Sequence, residues 1–195
     1  MIPILFYHTR RYTMSRIEPL TIENAPPAAA EILGAIKNKI GMVPNIYGAM
    51  AHSPAALGAK LAFDQAMGES ALSPAVKEQL AMVIAGTNAC DYCASAHTAI
   101  GKGAGVDADE LNKNLSGNAS DPKVQALLTL ARSIVTDRGR ISDIELSDAR
   151  NAGITEAELV EVIAAVAINT FTNYFNHIAA TEIDFPVVRT AAAVS

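Results

Sequence analysis

Both cysteines of the chain fall within one four-residue run, Cys90-Asp91-Tyr92-Cys93, and His97 follows the second by four residues. On a helix, positions i, i+3 and i+7 share a face, so Cys90, Cys93 and His97 form one stripe about two turns long. Two thiols at this spacing can close a disulfide and reopen it. The nucleophile in peroxide reduction or thiol exchange is the thiolate, and an ordinary cysteine, with a pKa of about 8.5, needs a neighbour that lowers this value or removes the proton. His97, one turn beyond Cys93, is placed to serve as that base or proton relay. Glu78 lies twelve residues before Cys90 on what reads as the preceding helix, from which its carboxylate can fold back to orient or charge the imidazole. The start of the helix adds a favourable field for a thiolate.

The same residues admit other uses. Cys90, Cys93 and His97 are suitable zinc ligands, with Glu78 or His177 as a fourth, although structural zinc sites usually draw ligand pairs from two separated segments. The chain has no second CxxC and no HxxxH. Free cysteines are also commonly buried without any reaction to perform, and a thiol pair of ordinary acidity would fit a redox sensor. Tyr92, between the thiols, either packs or donates a hydrogen bond to a substrate. Asn176 and His177, on a late helix, are expected to have supporting roles. His52 and His8 read as structural or solvent-exposed.

Glu78, Cys90-Asp91-Tyr92-Cys93 and His97 together resemble the alkylhydroperoxidase D-like branch of the carboxymuconolactone decarboxylase superfamily. Gly41-Met42-Val43-Pro44-Asn45-Ile46-Tyr47, Ser53-Pro54 and Asn173-Tyr174-Phe175-Asn176-His177-Ile178-Ala179 fit the same resemblance, which covers roughly residues 40–188. The resemblance implies an all-α helical bundle. It also implies a thiol-dependent peroxidase in which Cys93 attacks the hydroperoxide and Cys90 resolves it as a disulfide. Glu78 and His97 then relay the proton, and a lipoyl or thioredoxin-like dithiol partner reduces the pair again. No bound cofactor is implied, and the assembly expected is a homo-oligomer, a trimer or hexamer. The chain departs from the best-studied members at Tyr92, where they carry a histidine, and the departure bears on the relay and its rate. A carboxymuconolactone-type decarboxylase is the alternative enzyme, but the resemblance ties decarboxylation to members that lack the cysteine pair.

The elements that must hold these residues read as helices throughout. Almost no two-residue alternation occurs, so strands are not expected. Helices are predicted over residues 28–40 and 54–67, with a short segment from Pro44-Asn45 through Met50 between them, from Ser73-Pro74 to a break at Gly86-Thr87-Asn88, then from the cysteines to about Lys102. Gly101, Gly103 and Gly105 are expected to make a flexible exit. Asp107 with Glu110, Ser142 with Glu145 and Thr155 with Glu158 read as capping boxes, and Asp121-Pro122 as a further helix start. The last helix should run to about Glu182. A faint internal repeat at an offset of 83 residues lays Glu161 on Glu78, and Asn173 and Asn176 on Cys90 and Cys93. The second copy keeps the helical pattern without the thiols.

Across the 195 residues the net charge is −5, and no cluster of Lys and Arg offers a nucleic acid a footprint. Half of the residues are hydrophobic, a share that favours closely packed helices with apolar surface left for self-association. Two cysteines in a single CxxC fit a reducing compartment better than a secreted disulfide framework. No apolar run reaches the roughly 18–20 residues of a membrane span, and a cytoplasmic location is expected. The organisation expected is an N-terminal extension over residues 1–24, one helical domain over 25–188 and a tail over 189–195. Residues 1–13 read as lying upstream of a more natural start at Met14.

Overall fold

The structure is a computed structural model that describes residues 15–190; the proposed upstream extension, His8 and most of the tail lie outside the described residues. Nine helices and no strand occur among the described residues: α1 Pro27–Ile40, α2 Asn45–Met50, α3 Pro54–Met67, α4 Pro74–Thr87, α5 Asp91–Gly103, α6 Ala108–Leu115, α7 Pro122–Thr136, α8 Asp143–Asn151 and α9 Glu156–Ala179. Their starts follow local chemistry. The side chains of Ser53, Ser73, Asp121, Ser142 and Thr155 each accept a hydrogen bond from a backbone N–H of the first turn. Proline opens α3, α4 and α7, where its missing N–H costs nothing. Gly41, at φ +84°, ends α1 in the left-handed conformation that glycine adopts without strain.

Helix α4 is the centre of the fold and packs against α5, α6, α7 and α9. Leu80, Met82, Val83 and Ile84 are almost wholly buried, as the apolar run of this helix requires. One core joins α4 to α7, α8 and α9 through Val83, Leu127, Leu128, Ala131, Leu159 and Val162. A second joins α1, α2, α3 and α5 through Leu33, Ile46, Leu57, Ala94 and both cysteines. The thiols are therefore enclosed by the second core, beside the helix that links the two.

Four local expectations are corrected. Helix α4 does not break at Gly86 but runs through it to Thr87. A Cβ at position 86 would lie 2.0 Å from the Leu115 carbonyl oxygen, so this glycine permits the close approach of α6. The chain turns instead at Ala89, which takes φ +53°. Gly101 is buried inside α5 against Leu111 rather than part of a flexible exit. Asp107 caps α6 through Asp109 N, but no reciprocal box forms, because Glu110 binds the backbone and hydroxyl of Ser120. Helix α9 ends at Ala179, short of Glu182, where Ala180 turns left-handed.

After α9 the chain continues as a non-helical strap over residues 180–190 that returns to the start of α5. Asp184 accepts from Tyr92 Oη at 2.8 Å and from Asn45 N at 2.7 Å. Val188 N donates to Ser95 Oγ at 2.9 Å, and Arg189 and Thr190 both bind the Asp91 carboxylate.

Candidate active site

Cys90 is the N-cap of α5 and Cys93 lies in its first turn, so the pair straddles the helix start. Cys93 N donates to Cys90 Sγ at 3.4 Å. Both thiols are free and buried, at 2% and 3% exposure. One turn on, His97 Nδ1 lies 2.7 Å from Glu78 Oε2, so the carboxylate on α4 reaches back to the ring on α5 as the spacing predicted. Asn176, on α9, donates from Nδ2 to Cys93 Sγ at 3.3 Å. The residues that the 83-residue offset superposes, Cys93 and Asn176, are thus in contact. Helix α9 nevertheless continues unbroken where α4 and α5 are separate elements.

The two thiols differ in acidity. Cys93 is lowered to about 6, chiefly because Cys90 donates a hydrogen bond to its thiolate. The charge on His97 and the amides of Asn176 and Asn173 act in the same direction, together outweighing burial. The same bond to Cys93, with burial, raises Cys90, which keeps its proton. Burial opposes the charge on His97, but the Glu78 carboxylate and the Cys93 thiolate raise its affinity for a proton above the ordinary value. These directions favour a thiolate on Cys93 with the proton kept on Cys90, and they favour the charged form of His97.

A cavity of about 520 Å³ opens onto this arrangement. Cys93, His97, Glu78 and Tyr92 line it, whereas Cys90 does not. The remaining wall is largely apolar, with Met42, Ile46, Ile100, Ile168 and Phe185. Tyr92 Oη donates to Asp184, and its oxygen accepts from Ile46 N at 3.3 Å, while the ring meets Phe185 edge-on at 5.8 Å. Its one hydroxyl proton is therefore directed at Asp184 rather than at the cavity. His177 is outside the lining; its Nε2 pairs with the Asn88 carbonyl oxygen at 2.9 Å. His52 pairs with the Glu18 carbonyl oxygen at the same distance. No three His, Cys, Asp or Glu side chains among the described residues converge as metal ligands. A second cavity, of about 590 Å³ between residues 15–23 and α2, contains none of the site residues.

Residues 54–121, from α3 to the start of α7, match the carboxymuconolactone decarboxylase family. No curated protein matches the sequence. Among solved structures, the fold is similar to the alkylhydroperoxidase AhpD core of a peroxidase-related protein from Ralstonia eutropha JMP134. That likeness has a TM-score of 0.79 at 20% identity and covers 87% of this chain and 92% of that one. A peroxidase-related protein from Silicibacter sp. TM1040 is similar at TM-score 0.77 and 22% identity, covering 88% and 94%. The debrominase Bmp8, as a cysteine-to-alanine variant in complex with 2,3,4-tribromopyrrole, is similar at 0.74 and 18%, covering 88% and 93%. The described residues thus have the alkylhydroperoxidase D-like helical fold.

Several members of the site had no role assigned from sequence. Asp184, Lys60 and Asn88 reach it from the strap, α3 and the turn before α5, with no local motif to mark them. Asn173 appeared within the late stretch of the family resemblance and as the repeat partner of Cys90, with no role of its own, and it accepts from Asn88 Nδ2 at 2.8 Å beside the thiols.

Proposed function

We propose that this protein is a thiol-dependent hydroperoxide reductase in which Cys93 is the attacking cysteine. The observation that carries the reading is that Cys93 opens into the cavity beside His97 and Glu78, whereas Cys90 is in hydrogen-bond contact behind it. The Cys93 thiolate attacks the terminal oxygen of the hydroperoxide, and the O–O bond breaks. The departing alkoxide takes a proton from the His97 imidazolium, which Glu78 orients, and leaves as an alcohol. Cys93 is left as a sulfenic acid. It no longer holds the Cys90 proton as an anionic acceptor, and neutral His97 is available to receive that proton. Cys90 then attacks the Cys93 sulfur, water leaves, and a disulfide forms. Two electrons from an external dithiol, of lipoyl or thioredoxin-like type, restore the pair.

The exposed apolar residues of α9, Val160, Ile163, Phe171, Tyr174 and Ile178, support assembly as a homo-oligomer. No helix among the described residues is long and apolar enough to cross a membrane. A single CxxC of free thiols fits the reducing cytoplasm.

The test is oxidation of the reduced protein by cumene hydroperoxide, followed by mass spectrometry of the thiols. Wild type is expected to form one intramolecular disulfide and release one alcohol per peroxide consumed. Cys93→Ser should not react, and Cys90→Ser should stop at a sulfenic acid that a dimedone probe traps. Inertness of Cys90→Ser together with a reactive Cys93→Ser would reverse the two roles. If neither thiol reacts, the peroxidase reading fails.

A further inference from the structure

The cavity wall contains hydrogen-bond donors for which the described residues supply no acceptor. Tyr47 from α2, Lys60 and Asp64 from α3, and Lys77 from α4 line the same cavity as Cys93. Lys60 Nζ donates to the Tyr47 hydroxyl oxygen at 3.0 Å and to the Asp64 carboxylate, and it lies 5.0 Å from the centre of the Tyr47 ring. The Lys60 side chain is 11% exposed and that of Asp64 40%, so the cation sits inward of its counter-ion. An ammonium carries three hydrogens; Lys60 has an acceptor for two of them among the described residues. Tyr47, whose oxygen is already an acceptor, keeps its hydroxyl proton, which no acceptor takes among the described residues.

Lys77 Nζ donates to the Met67 carbonyl oxygen at 2.8 Å. Met67 is the last residue of α3, where a cation also complements the helix dipole. That contact uses one hydrogen and leaves two, and Lys77 forms no ion pair among the described residues. The two carboxylates of the wall each face another cation, Glu78 on His97 and Asp64 on Lys60. The remainder of the lining is mostly hydrocarbon.

We propose that Lys77, Lys60 and Tyr47 form a carboxylate subsite, and that the substrate is an organic hydroperoxide with a carboxylate on an apolar body. A carboxylate accepts several hydrogen bonds at once, and bonds between ionised partners are about twice as strong as neutral ones. Hydrogen peroxide itself would leave both the apolar walls and these donors unmatched. The hydroperoxide half of the proposal rests on the reading of Cys93 given above; the carboxylate half stands on the donors alone.

The experiment has two parts on the full chain in its reduced form. Calorimetric binding of 4-isopropylbenzoate is compared with that of its methyl ester, and the rate of Cys93 oxidation is compared for the corresponding 4-carboxy cumene hydroperoxide and its methyl ester. The acid is expected to bind and react at least about tenfold better than the ester, the ratio that one charge-assisted hydrogen bond supplies. Lys77→Gln should bring both ratios toward one, and Lys77→Arg should retain them. Equal binding of acid and ester overturns the subsite, as does a preference that survives in both Lys77→Gln and Lys60→Gln. Preferential binding of the acid without any oxidation of Cys93 supports the subsite and overturns the peroxidase reading. Rapid oxidation without acid-over-ester preference does the reverse.

Discussion

At the scale of single residues, the decisive arrangement is one proton held between two sulfurs. Cys90 donates toward Cys93, so the second thiol is acidic because the first is not. The pH dependence follows from the directions of these shifts. The proposed reaction uses the Cys93 thiolate and the His97 imidazolium together, so its rate should fall on the acid side as Cys93 protonates around pH 6. It should fall again on the alkaline side as His97 loses a proton held more tightly than usual. Iodoacetamide alkylation followed against pH checks the acid limb. His97→Gln removes the cation and should move the alkylation midpoint up toward the ordinary thiol value of about 8.5. A midpoint unchanged in that variant would exclude His97 as a source of the acidity. Of this site, Cys90, Cys93 and His97 stood out in the sequence because they share one helix face, whereas Glu78 stood out only through its spacing in the family resemblance. Tyr47, Lys60 and Asp184 were not, because their proximity to the thiols depends on how α2, α3 and the strap converge.

At the scale of elements, the helix starts were legible because a Ser, Thr or Asp cap and a following proline act within one turn. The Ser142–Glu145 and Thr155–Glu158 boxes form as read. The Asp107–Glu110 box does not, since a residue ten positions away competes for Glu110. Glycines divide in the same way between local and distant causes. Gly86 in α4 meets the Leu115 carbonyl oxygen, a backbone atom that cannot move aside, whereas nothing lies within 4 Å of a Cβ at Gly103. Gly86→Ala is therefore expected to destabilise by about 2 kcal/mol or more through overpacking of α4 against α6. Gly103→Ala should be neutral or stabilising by up to about 1 kcal/mol. Urea unfolding of the two variants beside wild type measures both. Equal stabilities would mean that α6 does not press on α4 as described.

At the scale of the whole molecule, α9 presents two faces with different roles. Its inner face, with Leu159, Val162 and Val166, packs on α4 and α7, and further along Asn173 accepts from Asn88 and Asn176 donates to Cys93 Sγ. Its outer face carries Phe171 and Tyr174 at 42% and 56% exposure, within an apolar stripe that also includes Val160, Ile163 and Ile178. Water on that stripe is a cost that pairing with a second copy removes. Phe171→Glu with Tyr174→Glu is expected to shift the protein to a monomer in light scattering after size-exclusion chromatography, with circular dichroism unchanged. A monomeric wild type would remove the homo-oligomer from the functional reading.

The strap over residues 180–190 has a consequence for the order in which the site comes into being. Synthesis delivers Cys90 and Cys93 some eighty residues before Asn176, and nearly a hundred before Arg189 and Thr190 close on Asp91. Two of the groups that acidify Cys93, Asn173 and Asn176, are in the same late part of the chain. A nascent chain thus exposes thiols that lack part of their eventual reactivity. Residues made well after the thiols both fasten the motif and add to the acidity of Cys93.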